Sequence, residues 1–161
     1  MSPEGRWVID RHLKRMVRVL TEIAEVESHL AELTVNDPLV NALLELRGIG
    51  SVTAWTIRAE IGRFDRFRSG KQLARFCALT PRNASSGNRQ SDAGLIKAGN
   101  RELRTVLIEA AHRLIRYDES WRSFACKMLQ RGKPKCVIVA ATANRWIRRL
   151  FHAMQPSKLV A

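Results

Sequence analysis

The sequence is poor in the residues that build disulfide frameworks and metal sites. Its 161 residues include only three cysteines, Cys77, Cys126 and Cys136, and four histidines that fall on four separate segments. An odd, widely spaced set of cysteines in apolar surroundings predicts reduced, buried thiols in a cytoplasmic protein. The histidines have no ligand-like spacing, so we expect no metal site and no cofactor in this chain.

Acidic residues are also scarce, and the charge is uneven. The chain carries 28 Lys and Arg against 15 Asp and Glu, a net charge of +13. Residues 1–46 have a net charge of −3, whereas residues 47–161 have +16. A strongly basic region indicates a polyanionic partner, most simply nucleic acid. A membrane partner is not expected, because the sequence lacks a long apolar run, a lipidation motif and a secretory signal.

Strand patterns are absent, and the apolar residues follow helical periods. Residues 7–34 predict one long helix with an a/d heptad seam, the pattern of a coiled coil. We therefore predict a coiled-coil linker helix over residues 1–36 and a homo-oligomer formed through it. An amphipathic helix packed on its own domain is the alternative. The seam consists of Ile9, Leu13, Met16, Leu20, Ile23 and Leu30.

Residues 37–155 predict an all-α helical bundle that contains a helix-hairpin-helix at about 38–62. The hairpin centres on Gly48, Ile49 and Gly50, because glycine readily adopts the positive φ that such a turn requires. Ser51 is predicted to cap the second helix. That helix would direct its N–H groups and its positive dipole end at a phosphate. One interpretation is therefore DNA binding, with Gly48, Ile49, Gly50 and Ser51 as candidate DNA-binding residues. A tight corner between two helices, without a ligand, is the other.

A long polar loop at about 80–100 interrupts the helices, and loops of this length are commonly functional. Asn100 is predicted to cap the next helix, over residues 101–117, and Ser69 an earlier one. Residues 58–104 hold 11 basic and 4 acidic side chains. We expect them to form one basic face around the loop, although scattered, solvated arginines are the alternative. The candidate DNA-binding residues of this region are Arg82, Arg89, Lys97, Arg101 and Arg104.

The loop contains Ser85-Ser86-Gly87 among basic residues. Nearby cations would favour a serine alkoxide that attacks phosphorus. Taken alone, the pattern is weak, because Ser-Gly in a loop is usually just a turn and no general base is marked by its spacing.

Several short motifs occur in a fixed order from about residue 40 to residue 150. Together they resemble the C-terminal domain of the Piv-type DEDD (RuvC-like) transposases and invertases of bacterial insertion sequences. In that family a glycine usually precedes Leu79, where this chain has Ala78. The motifs are Leu46-Arg47-Gly48-Ile49-Gly50, Thr53-Ala54, Glu60-Ile61-Gly62, Phe67 with Ser69 and Lys71, Leu79-x-Pro81, Ser85-Ser86-Gly87, Lys97-x-Gly99-Asn100, Leu103-Arg104 and Glu109-Ala110-Ala111.

The resemblance implies a function in DNA transposition. Members have an N-terminal RuvC-like nuclease domain whose four acidic residues bind Mg²⁺, and we expect that domain to be missing here and the chain to be inactive without it. The family serine, thought to form a covalent link to DNA, maps to Ser86, with Ser85 as the fallback. Some members are guided by a structured RNA, and members assemble as dimers or tetramers. The alternative function is a non-catalytic helix-hairpin-helix module that binds DNA or RNA.

Overall fold

The computed structural model describes residues 1–83, 92–96 and 98–155. Within them the chain forms seven α-helices, one 3₁₀ turn and one small sheet, which confirms the all-α class. The elements are α1 (Pro3–Thr34), α2 (Pro38–Leu44), α3 (Ser51–Ile61), the 3₁₀ turn (Phe64–Arg66), α4 (Gly70–Phe76), β1 (Pro81–Asn83), β2 (Asp92–Leu95), α5 (Arg101–Tyr117), α6 (Glu119–Gln130) and α7 (Lys135–Ala153).

The chain divides into two compact units, Met1–Asp37 and the segment from Pro38 onward. The first unit consists of α1, which starts at a standard cap: the Ser2 hydroxyl accepts a hydrogen bond from the Gly5 N–H at 3.1 Å. Pro3 occupies the first turn, where its missing N–H has no consequence. No side chain of α1 is buried. The apolar seam is therefore open along this helix.

The second unit, referred to below as the helical unit, has its core around α5, which packs against α3, α6 and α7. Leu43, Ile57, Leu107 and Ile147 come from four different helices and are all fully buried. Burying one such side chain contributes about 1.5–3 kcal/mol. The helical unit thus has a continuous core of its own.

The connection between α2 and α3 corrects two predictions. Helix α2 ends at Leu44 rather than near Arg47, and a turned segment leads to α3. Ser51 was predicted to cap α3, and this is wrong. Gly50 is the cap residue, with extended φ and ψ angles of −103° and 171°, and its carbonyl accepts the first helical hydrogen bond from Ala54. Ser51 is consequently the first residue inside the helix.

Two further expectations are corrected. Strands β1 and β2 form an antiparallel pair, with Pro81 opposite Leu95, although no strand was predicted. The strands escaped detection because they are three and four residues long and lack an alternating apolar pattern. Cys77 is buried as predicted, but Cys126 and Cys136 are exposed, because the sides of α6 and α7 on which they lie face away from the core.

Candidate nucleic-acid interface

The turn between α2 and α3 is fixed to α5 by one arginine. Arg113 donates from Nε to the Gly48 carbonyl oxygen at 2.9 Å and from Nη2 to Thr53 Oγ1 at 3.0 Å. Gly48 has the expected positive φ, +86°, and a Cβ there would contact the side chains of Arg113 and Leu114 at about 3.5 Å. Arg113 therefore joins both sides of the turn to the C-terminal half of α5.

Only part of the predicted hairpin faces outward. The Ile49 side chain is 8% exposed and belongs to the core, so it anchors the turn. Gly50 is exposed, and no atom lies within 4 Å of the position that a Cβ would occupy. The first N–H groups of an α-helix have no partner within the helix. Because the cap residue of α3 is a glycine, no cap side chain occupies that end either. Gly50, Ser51 and Val52 thus border an open helix terminus.

The polar loop begins and ends on a fixed base. The Ile96 N–H donates to the Thr80 carbonyl at 2.9 Å, next to the β1–β2 pair. Asn144 Nδ2, from α7, donates to the Leu79 carbonyl at 3.0 Å. The predicted nucleophiles Ser86 and Ser85, and the predicted phosphate contacts Arg89 and Lys97, lie outside the described residues. Their proposed roles stay predictions.

The end of this loop meets α3 and α4. The Asn100 side chain caps α5 as predicted, since its Oδ1 accepts from the Leu103 N–H at 2.9 Å. Its Nδ2 donates to Glu60 Oε2 at the end of α3, and its backbone N–H donates to the Phe76 carbonyl. Two motifs that are 40 residues apart in the sequence are thus in direct contact.

Close backbone packing explains the glycine at position 99. Gly99 has a φ of +133°, and a Cβ there would lie 2.8 Å from the Phe76 carbonyl oxygen and 2.9 Å from the Ala78 nitrogen. Ala78 itself has a φ of +53°, the left-handed conformation that glycine adopts without strain. The position at which the resembled family usually has glycine therefore has the backbone angle that favours glycine.

Of the predicted basic residues that the structure describes, the two on α5 lie away from the turn. Arg82 is exposed on β1, Arg101 is exposed, and Arg104 is half-buried in the first turns of α5. Gly48 instead lies beside Arg113, which follows Arg104 by nine residues and Arg101 by twelve, or about 14 and 18 Å along α5. The turn and the two arginines near the start of α5 are separate regions.

Several arginines are already engaged in internal contacts. Arg66 donates to the Glu60 carbonyl at 3.1 Å and stacks on the rings of Phe67 and Phe76, at 4.8 and 4.9 Å from their centroids. Arg63 forms an ion pair with Asp65, which lowers the pKa of that carboxyl through a hydrogen bond. These side chains already have partners within the chain, so the count of basic residues overstates the charge that is free for a ligand.

Sequence reasoning missed Arg113 and Asn144. A mid-helix arginine resembles a surface residue, and its pairing with Gly48 spans 65 positions. Asn144 gave a weak signal, because it is a lone amide after a run of small apolar residues in α7. A buried amide in such a helix usually has a hydrogen-bond partner.

Among the described residues, no three His, Cys, Asp or Glu side chains come together as metal ligands. The described helices also include none with both the length and the hydropathy needed to cross a bilayer.

Burial raises the pKa of the Cys77 thiol to about 12, so that thiol remains protonated at neutral pH.

The chain is similar in sequence to several known proteins. The chain is 31% identical over 145 residues to a probable family 20 transposase of Pseudomonas aeruginosa, covering 88% of this chain and 43% of that protein. It is 34% identical over 149 residues to the transposase for insertion sequence element IS1111A of Coxiella burnetii, covering 89% and 41%. It is 35% identical over 108 residues to the pilin gene-inverting protein of Moraxella bovis, covering 64% and 33%. The chain thus matches less than half the length of each relative.

A family model covers more than half of the chain and includes the α2–α3 turn, the base of the loop and α5. That model is described as Transposase IS116/IS110/IS902 family, and it matches residues 40–126. The chain therefore belongs to the IS116/IS110/IS902 family of transposases.

Proposed function

We propose that the helical unit is the DNA-binding, serine-bearing C-terminal domain of an insertion-sequence transposase, of the Piv-type DEDD class. Membership of the transposase family implies a role in transposition. The DNA-binding part of the proposal rests on the open N-terminal end of α3 at Gly50. Arg113 holds this end in place through its hydrogen bond to Thr53. Helix α3 corresponds to the second helix of a helix-hairpin-helix, with backbone phosphates of DNA as the ligand.

The physical basis is the charge at a helix terminus. Uncapped N–H groups and the helix dipole together favour an anion at the N-terminal end. Such contacts are made to the DNA backbone and carry no sequence information by themselves. The proposal thus predicts binding with little sequence preference and a marked dependence on salt.

A substitution at Gly50 should lower the affinity for DNA without lowering the free energy of unfolding. Gly50→Asp introduces a residue that caps helices well into open space, so the free energy of unfolding should stay equal or rise by a few tenths of a kcal/mol. The same carboxylate would repel a phosphate, and affinity for duplex DNA should fall about tenfold. Affinity is measured by fluorescence anisotropy with a labelled duplex, and stability by urea unfolding.

Gly50→Asn is the matched control, because asparagine caps equally well without a charge. It should retain more of the affinity than Gly50→Asp does. Equal affinities for wild type and Gly50→Asp would overturn the assignment of a phosphate to this helix terminus. Binding of structured RNA but not of DNA by the wild-type chain would favour a guide-RNA contact or a non-catalytic RNA-binding module instead.

The proposed chemistry belongs to the serine loop. The Ser86 hydroxyl would attack a DNA phosphodiester, forming a serine–phosphate ester and releasing the hydroxyl of the other strand end. Arg82, Arg89 and Lys97 would stabilise charge on the phosphoryl oxygens. Support comes from the fixed base of the loop, where Thr80 and Leu79 are hydrogen-bonded to Ile96 and Asn144. Following the family resemblance, the Mg²⁺ would be bound by a RuvC-like domain.

A covalent-adduct assay tests this chemistry. Supercoiled DNA is incubated with Mg²⁺ and the chain, with and without a supplied RuvC-like domain. We expect a protein–DNA adduct when that domain is present, and its loss in Ser86→Ala but not in Ser85→Ala. Loss in Ser85→Ala alone would move the nucleophile to Ser85. DNA binding without an adduct under either condition would favour the non-catalytic module.

A further inference from the structure

A cationic groove of about 320 Å³ lies between α6 and α7. These helices are joined by a short link and pack side by side in the helical unit. Four basic side chains line the groove, together with two serine hydroxyls and an apolar floor, and all four are exposed. The lining includes no carboxylate. The basic residues are Lys127, Arg131, Arg145 and Arg149.

Two of the arginines are held by aromatic rings. The guanidinium carbon of Arg149 lies 4.7 Å from the centroid of the Trp121 ring, and that of Arg145 lies 5.0 Å from the centroid of Phe124. The two rings contact each other edge to face at 6.2 Å. A cation over an aromatic ring is attracted to the ring face, and the other side of the guanidinium stays open to a ligand. The rings therefore favour positions of the two arginines along the groove.

The acidic groups near the groove are few. Among the described residues, none of the four basic side chains forms an ion pair. Asp118 reaches one end of the groove through Ser120, whose hydroxyl and N–H donate to it at 2.6 and 2.9 Å. That carboxylate also accepts from the Trp121 N–H, and these hydrogen bonds lower its pKa, so it is engaged in capping α6. The groove therefore has four basic side chains in its lining and a single, already hydrogen-bonded carboxylate at one end.

We propose that this groove is a second phosphate-binding site for duplex DNA, in addition to the α3 terminus and the serine loop. It rests on the proposed DNA-binding function and extends it to α6 and α7. Guanidinium groups bind phosphate oxygens in bidentate fashion, and the Ser123 hydroxyl supplies a further donor on the same groove. The site contacts the backbone, so it adds affinity and salt dependence without sequence preference.

The test is the double variant Arg145→Gln/Arg149→Gln in the full chain, which removes both charges while keeping side chains of similar polarity. We expect affinity for a labelled duplex to fall about tenfold near 100 mM salt. The slope of log affinity against log salt concentration should become shallower by about 1–2, one unit for each lost phosphate contact. Circular dichroism and the thermal midpoint show whether the variant is folded.

A second variant keeps the stacked arginines. Ser123→Glu places a carboxylate in the groove as an internal competitor for phosphate, and it should weaken duplex binding by a similar factor. Arg148→Gln is the matched control: Arg148 is an exposed arginine of the same helix, its backbone lies against Gly70, and it does not line the groove. It should leave the affinity within about twofold of wild type.

The outcomes separate this site from the proposed function. If wild type binds duplex DNA and the double variant has the same affinity and salt slope, the phosphate site in the groove would be overturned. The proposed DNA contact at Gly50 would not be affected by that result. If Arg148→Gln lost as much affinity as the double variant, the loss would be a general effect of charge, and the groove assignment would be overturned. A loss on single-stranded RNA of equal length but not on duplex DNA would overturn the assignment to DNA. A wild-type chain that does not bind duplex DNA would overturn both proposals.

Discussion

Helix α1 and the helical unit contain similar apolar residues, but these residues are exposed in α1 and buried in the helical unit. Leu13 and Leu20 of α1 are 50% and 57% exposed, and α1 contains no buried residue. In the helical unit, Leu43 and Leu107 are fully buried, within a core that is continuous from α2 to α7. The difference lies in the arrangement of the residues. A narrow a/d stripe on one helix needs a second helix, whereas broader faces on several helices cover one another.

The two regions differ in what covers their apolar side chains. The helical unit has what it needs to fold, because its own helices exclude water from its apolar side chains. Helix α1 gains no tertiary packing within its own unit, and we propose that a second copy of α1 covers its seam. Stability should accordingly respond to substitutions in the helical unit, and assembly to substitutions in α1.

The largest effect is expected in the core of the helical unit. Leu107 is fully buried in α5, the helix that contacts α3, α6 and α7. Leu107→Ala should lower the free energy of unfolding by about 2–5 kcal/mol through lost burial and a residual cavity. Urea unfolding followed by circular dichroism measures it. A loss below about 1 kcal/mol would contradict close packing around Leu107.

The next effect is expected at Gly99. Gly99→Ala combines a left-handed φ of +133° with a Cβ less than 3 Å from backbone atoms of the segment 76–78, so the loss should be about 2–4 kcal/mol. Gly132→Ala is the control, because Gly132 has a φ of +72° but open space around a Cβ. It should cost about 1 kcal/mol. Equal losses at the two sites would show that the close approach is relieved by a small shift.

A smaller effect is expected at the cap of α5. Asn100→Ala removes the hydrogen bonds to the Leu103 N–H and to Glu60, and should cost about 1–2 kcal/mol. Ser69→Ala is the matched change at the cap of α4, where the hydroxyl accepts a single bond from the Gln72 N–H at 3.3 Å. It should cost less than Asn100→Ala. The reverse order in thermal unfolding would argue against a stabilising contact between Asn100 and Glu60.

The smallest effect on stability is expected in α1. Leu20→Asn should change the unfolding of the helical unit by less than about 0.5 kcal/mol, because the side chain is already exposed in the single chain. It should nevertheless lower the sedimentation mass of the full chain if two copies pair along the seam. Val8→Asn, an exposed apolar position outside the a/d seam, is the control. Equal masses for wild type and Leu20→Asn would remove the case for a coiled coil.

Local features of the fold were predictable from the sequence. The bounds of α5, 101–117, follow from the cap at Asn100 and from an apolar face with helical spacing, and both signals lie within the helix itself. Gly62 ends α3 for a similarly local reason, with its φ of +64°. The family resemblance also gave the transposase assignment, which the comparisons support.

Long-range contacts were not predictable in the same way. The Arg113 contact with Gly48 and the Asn144 contact with Leu79 each join residues 65 positions apart, and no local pattern marks them. The inward position of Ile49 depends on how the turn packs onto α5, which periodicity does not define. Of the predicted site, the turn and the base of the loop have defined positions, whereas Ser86 lies outside the described residues.

The arginine that spans the α2–α3 turn also couples that turn to α5. Because Arg113 is held to Gly48 and Thr53, the turn cannot separate from α5 without breaking both hydrogen bonds. The hydrogen-bonded amides of α3, from Ala54 onward, should therefore exchange with solvent deuterium in the same cooperative opening as those of α5 around Arg113. A phosphate bound at the α3 terminus would then slow exchange along α5, far from any atom that it touches.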